Sequence, residues 1–155
     1  MALEGYTFAN AQEFIGQKLG TSEWMTIEQD RINTFADCTE DHQWIHVDPE
    51  RSAAGPMGAT IAHGYLTLSL VTKLTESIDV LPKGNIAMAL NYGADKIRFL
   101  TPVKVGSRIR LHSTLQDFTD KGGGRYLVKV NNSMEIEGED KPAMIAEILF
   151  MAFVQ

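Results

Sequence analysis

The chain holds one cysteine, Cys38, in 155 residues. That excludes an intrachain disulfide and suits a reducing cytoplasm. Cys38 lies between Asp37 and the pair Glu40-Asp41, an acidic setting that disfavours a thiolate. It is read as a structural thiol, not a nucleophile. Basic residues are also short: 14 Lys and Arg stand against 20 Asp and Glu, for a net charge of −6. The broad basic face that a nucleic-acid partner requires is therefore not expected, although a local patch for one anionic ligand stays open. No apolar run approaches the roughly 20 residues of a membrane span. The opening residues 1–5 lack the basic segment and apolar stretch of a secretory signal, so a cytoplasmic location is expected. Without secretion, the sequon at Asn131-Asn132-Ser133 carries no weight. Linkers, repeats and low-complexity stretches are absent too, and one domain over residues 1–155 is the expectation.

What is present is ordinary for a globular chain: 44% hydrophobic and 22% charged residues. Its pattern divides in two. The first half carries helical signals. Asn10 reads as the cap of a helix over residues 10–18, and residues 22–26 as a short strand. Thr26 and Gln29 have capping-box spacing ahead of a helix with Ile27, Ile32, Phe35 and Ala36 on its apolar face. That helix is expected to end near Thr39. Asp48-Pro49 reads as another helix start. Over residues 61–78, Leu66, Leu70, Leu74 and Ile78 recur every four residues, which predicts a long buried helix. The second half alternates. Val128, Val130, Met134 and Ile136 share one parity, opposite Lys129, Asn131, Glu135 and Glu137. Residues 143–154 are apolar on both parities, as in a strand covered on both faces. A long helix followed by long antiparallel strands gives an α+β fold in which the sheet wraps the helix. Its exposed strand edges favour a homodimer.

Three of the four histidines fall between positions 42 and 63. Two blocks hold them: Asp41-His42-Gln43-Trp44-Ile45-His46 and Ile61-Ala62-His63-Gly64. His42 and His46 would share a helical face, the spacing of a metal pair. However, the β-branched Ile45 and Val47 and the approach to Pro49 argue for an irregular loop, so no metal is expected. Acid–base chemistry fits better. A carboxylate and an imidazole meeting at one water can deprotonate it and return the proton to a substrate. Gly64, near a helix start, would let a carbonyl approach a free backbone N–H.

With those residues in place, the sequence resembles the MaoC-like dehydratases, which include the (R)-specific enoyl-CoA hydratases. More narrowly it is similar to the branch labelled nodulation-protein-N-like. The family's hydratase motif runs aromatic, small residues, Asp, any, Asn, Pro, aliphatic, His, followed by an acidic-Pro helix start. Phe35 through Asp41 to Ile45-His46 and Asp48-Pro49 follow that order. The family's aliphatic-x-His-Gly is met by Ile61-Ala62-His63-Gly64, and its strand-and-turn signature by Arg98-Phe99-Leu100 with Pro102-Val103 and Gly106. Two departures stand out. Glu40 occupies the position of the family's glycine, and Gln43-Trp44 that of its Asn-Pro.

The resemblance implies a hot-dog fold, usually dimeric, and syn hydration of a trans-2-enoyl thioester to an (R)-3-hydroxyacyl thioester. The substrate would be carried on coenzyme A or acyl carrier protein, with no cofactor. By the same resemblance Asp41 and His46 are the catalytic pair and the Gly64 N–H is the oxyanion donor. Asp41 is read as the base, with His46 orienting the water and sharing the proton, and the opposite division stays open. His63 is expected to support the loop, and His42 to sit at the surface. Thr72, eight residues after Gly64, is a candidate to reach the substrate. Asn91 and Tyr92 are candidates for the acyl tunnel, and Lys96 and Arg98 for coenzyme A phosphates. Two other readings stay open: a thioesterase on the same fold and a non-catalytic acyl-thioester-binding protein.

Overall fold

The computed structural model describes residues 3–155; Met1 and Ala2, part of the opening segment read above, lie outside the described residues. The alternating second half forms the strands expected of it. They are β3 (Ile86–Phe99), β4 (Arg108–Gly122), β5 (Arg125–Ile136) and β6 (Met144–Val154). The short strands β1 (Lys18–Thr21) and β2 (Met25–Thr26) precede them. The sheet order is β1-β4-β5-β6-β3, with β2 also on β4, and every pairing between strands is antiparallel.

Period-two alternation decides which face is buried. On β5, Val128, Val130, Met134 and Ile136 point inward; on β4, Ile109, Leu111 and Leu115 do the same. Ser113 interrupts the apolar parity of β4. Its hydroxyl is buried but donates to Asn132 Oδ1 of β5 at 2.7 Å, so the polar pair satisfies itself inside the core.

The helix predicted over residues 61–78 is shorter and has two parts, α4 (Gly64–Ser69) and α5 (Val71–Thr75). Hydroxyls of Thr67 and Ser69 donate back to the carbonyls of Gly64 and Tyr65, a habit that bends helices. The ladder still runs through the joint, because Leu70 N–H reaches Leu66 O and Leu74 N–H reaches Leu70 O. Leu66, Leu70, Leu74 and Ile78 therefore keep one stripe. They bury it in one core with Leu111, Leu115, Val130 and Met134 of the sheet. Each such leucine contributes roughly 1.5–3 kcal/mol by leaving water. A helix held in the grip of an antiparallel sheet is the hot-dog fold.

Three local expectations are corrected. Residues 10–18 are not a helix; only Ala11–Phe14 makes a 3-10 turn. The Asn10 side chain instead accepts from Thr7 N–H and donates to Gly5 O. Residues 22–26 supply only β2, while β1 lies earlier. Helix α1 (Gln29–Thr39) opens at Gln29 with Glu28 at its cap, so Thr26 and Gln29 form no capping box. Gln29 has another partner, described below. Among the described residues, no helix is long and apolar enough to cross a membrane.

Candidate active site

Helix α1 ends at Thr39, and Glu40 follows in the left-handed conformation, φ 62°. This is where the hydratase motif has glycine. A residue with a Cβ is disfavoured there by roughly 1–2 kcal/mol. The turn throws Asp41 onto an irregular stretch, as expected. His46 differs from expectation: it sits in one helical turn, α2 (Trp44–Val47). Pro49 constrains only the residue before it. Asp48 takes that extended conformation (φ −116°, ψ 90°) and leaves residues 44–47 free to turn. Asp48 then caps α3 (Pro49–Ala53) by accepting from Arg51 N–H at 3.0 Å.

His46 is held from three sides. Its Nδ1–H donates to Ile61 O at 2.7 Å, its carbonyl accepts from Gln29 Nε2 at 2.8 Å, and Ile61 N–H returns to Ile45 O at 3.0 Å. Gln29 Oε1 accepts in turn from Thr60. This clamp ties α1, α2 and residues 60–61 together. Sequence spacing suggested only a capping role for Gln29, because a contact across 17 residues leaves no periodic signal. With Nδ1 occupied, the lone pair of His46 lies at Nε2. Burial pulls the His46 pKa below the ordinary histidine value; the Ile61 carbonyl opposes this, His63 adds to the lowering, and Asp41 opposes it.

His63 stacks on His46, with ring centroids 3.7 Å apart and planes 21° from parallel. Its Nε2–H donates to the main-chain carbonyl of Asp41 at 2.9 Å. Asp41, His46 and His63 each bring one polar atom within 4.8 Å of the others. These three could hold a cation by distance alone. Their ring geometry argues otherwise: nearly parallel stacked imidazoles direct their lone pairs side by side, not at a shared point, and His63 Nε2 is already engaged. Polar atoms of Asp41 and His46 no more than 4.8 Å apart suit one water donating to both groups.

Gly64 opens α4. The first helical donors engaged are Leu66 and Thr67 N–H, both on His63 O. The Gly64 N–H, at the first position, has no partner within its helix. Gly64 and His46 share a cleft of about 200 Å³ with Ile61, Thr67, Phe99 and Thr101–Val103. The strand-and-turn signature thus supplies one wall. Phe99 covers Gly64 so closely that a Cβ there would meet its ring at 3.0–3.1 Å, and Tyr65 packs edge-on against Phe99. In sequence Phe99 was read only as part of that signature and Tyr65 was given no role; large exposed aromatics beside a glycine become meaningful only once folded.

The remaining candidates separate. Thr72, Asn91 and Tyr92 do come together, but in a second cavity of about 450 Å³ with Leu68, Ala94 and Ile148. Thr72 does not share the Gly64 cleft: eight residues of helical path carry it about 12 Å along the axis and about 80° around it. Tyr92 is the extra residue at a bulge, where the register of β3 against β6 shifts between Asn91 and Gly93. Lys96 has φ 50° and pairs with Glu147 at 3.6 Å, and Arg98 Nη1 donates to Ile97 O. Neither lines either cavity. His42 is exposed, with Nε2 2.9 Å from Asp37 Oδ1.

Comparison with known proteins follows the same lines. A model of the MaoC-like domain matches residues 10–137. A 3-hydroxyacyl-thioester dehydratase Z of Mycobacterium tuberculosis is 52% identical over 132 residues, covering 85% of this chain and 86% of that protein. Nodulation protein N of Rhizobium leguminosarum bv. viciae is 46% identical over 142 residues, covering 90% and 87%. Among solved structures, an R-hydratase of Pseudomonas aeruginosa superposes with a TM-score of 0.75 at 23% identity, over 97% of this chain and 87% of that one. At that identity it speaks for the fold alone. With a family model covering most of its length and relatives this similar, the chain belongs to the MaoC-like dehydratase family and is a lyase of the hydratase and dehydratase kind.

Proposed function

We propose that this protein, acting as one domain, reversibly hydrates a trans-2-enoyl-CoA to the (R)-3-hydroxyacyl-CoA. The observation that carries the reading is the closeness of Asp41 and His46 beside a Gly64 N–H that has no partner among the described residues. One water donates to the Asp41 carboxylate and to His46 Nε2. Its oxygen attacks the β-carbon as Asp41 takes a proton. The π electrons move toward the thioester carbonyl, whose oxygen gains charge opposite the Gly64 N–H. Asp41 then returns the proton to the α-carbon on the same face, and the carbonyl reforms. The relative from M. tuberculosis is named for a thioester, and that supports the substrate class.

The acyl chain extends toward the cavity at Thr72, Asn91 and Tyr92, which has the room a short chain needs. Lys96 and Arg98 stay candidates for coenzyme A phosphates by charge. Purified protein is expected to consume the conjugated double bond of crotonyl-CoA, followed by its ultraviolet absorbance. Release of free thiol in place of double-bond loss would make the protein a thioesterase.

The water-orienting group must be neutral, since a protonated His46 would donate where it has to accept. Activity is therefore lost as pH falls through the His46 pKa. Because burial lowers that pKa, the acid limb of kcat/KM is expected below the ordinary histidine range. A limb centred above that range would contradict the assignment.

The functional unit is a homodimer joined along β3. That strand ends the sheet order, with Met88, Leu90 and Tyr92 47%, 48% and 62% exposed. An open edge with large apolar side chains invites a second copy. Sedimentation is expected to give twice the chain mass, and the pair Met88→Asp and Leu90→Asp to give monomers. A wild-type monomer at micromolar concentration would rule this out.

A further inference from the structure

His63 is buried at 2% exposure and touches both members of the reacting pair by different means. Its Nε2–H holds Asp41 by the main-chain carbonyl, 2.9 Å away, and its ring face lies on His46. The other ring nitrogen, Nδ1, is buried and has no hydrogen-bond partner among the described residues. A second proton on this ring would sit at Nδ1, where no acceptor waits. An orphan buried nitrogen of this kind is uncommon and calls for a reason.

The peptide that His63 grips follows directly on Glu40, whose left-handed backbone is strained for a residue with a side chain. Strain of this sort persists only where neighbours over-determine the conformation. One such restraint is the His63–Asp41 hydrogen bond on the next residue. Asp41's own carboxylate contributes little, meeting Gln43 N–H at 3.4 Å. The titratable groups facing His46 are Asp41, on the preceding stretch, and His63, ahead of α4. The contacts from α1 and residues 60–61 are a neutral amide and backbone. His63 thus reaches both with its side chain, while Gln43 meets both through its backbone, its N–H toward Asp41 and its carbonyl accepting from His46 N–H.

We propose that His63 is a positioning residue of the hydration reaction. As the neutral Nε2–H tautomer, it clamps the strained Glu40–Asp41 turn through the Asp41 carbonyl and backs His46 by stacking. It touches neither water nor substrate. The orphan Nδ1 is then a consequence: the ring is placed for what its Nε2–H and its face do. This inference rests on the hydratase reading above.

Two measurements test it, and they fail separately from that reading. In wild-type protein, long-range proton–nitrogen NMR of the imidazoles reports tautomers without any turnover. His63 is expected as the Nε2–H form and His46 as the Nδ1–H form. A His63 carrying Nδ1–H, or protonated on both nitrogens while His46 is neutral, overturns the proposal even if the enzyme is active. Kinetics supply the second test. His63→Ala is expected to lower kcat for crotonyl-CoA by about 10²-fold, the scale of an ångström's misplacement, with little change in KM. His63→Gln keeps an N–H for the Asp41 carbonyl and is expected to recover part of the loss.

The effect of His63→Ala is also expected to shrink when Glu40→Gly has relieved the turn, since glycine holds that conformation without a clamp. A loss equal in both backgrounds would point to plain core packing and overturn the clamp. So would unchanged kcat in His63→Ala. A wild-type protein that hydrates no enoyl-CoA would instead defeat the hydratase reading and leave the tautomer test standing.

Discussion

Asp41→Asn is expected to lower kcat for crotonyl-CoA hydration by at least about 10²–10⁴-fold, the usual worth of a positioned acid–base group. The substitution is nearly isosteric, and the Asp41 side chain is 53% exposed. Stability should therefore stay within about 0.5 kcal/mol of wild type. The fold is also indifferent to the change for a local reason. His63 grips Asp41 by its main-chain carbonyl, which asparagine keeps. What is lost is chemical. In the proposed mechanism the carboxylate accepts a proton from water and later gives it to carbon, and an amide can do neither. Asp41 does not line the cleft that holds Gly64, so KM should move little. Initial rates at saturating substrate, with thermal melts of both proteins, decide it. An Asp41→Asn enzyme within tenfold of wild type would remove Asp41 from the mechanism.

Gly64→Pro is expected to cost about 10²–10³-fold in kcat, the range found when one oxyanion donor is removed. Proline is compatible with this position. It favours the first residue of a helix, and His63 before it already has the extended backbone proline demands (φ −58°, ψ 140°). The substitution therefore deletes the N–H while leaving α4 able to form. Both proline and alanine add a Cβ, which meets the Phe99 ring at 3.0–3.1 Å. Phe99 is 45% exposed and can swing aside. Gly64→Ala is thus the control that carries the steric change alone, and it should keep most of the activity that proline loses. Equal losses in the two variants would assign the effect to Phe99 and exclude the oxyanion role.

Much of this site was legible in the chain, and for identifiable reasons. Asp41, His46, His63 and Gly64 fall in two short blocks whose residue types are unusual together, and the structure brings the blocks side by side. Thr72 was placed from the period of an unbroken helix. Eight residues are not a whole number of helical turns, and the offset along and around the axis sends it to another cavity. Gln29 was assigned to a cap because its spacing from Thr26 fits one; its amide instead reaches His46. The departure at Glu40 was visible as a missing glycine, but its meaning, a left-handed turn, required the backbone angle.

The chain by itself determined the inner and outer faces of β4 and β5 and the leucine stripe, and it supplied the groups proposed to react. Periodicity and side-chain chemistry are local, and local features can be read in a line. Only the tertiary structure decided that His46 rides a helical turn, that Ile61 O selects its tautomer, that His63 stacks behind it, and that Phe99 covers Gly64. Each of these is a contact between residues 15 or more positions apart, or a backbone angle set by such contacts. No pattern within a single element specifies which of many distant partners a side chain will meet.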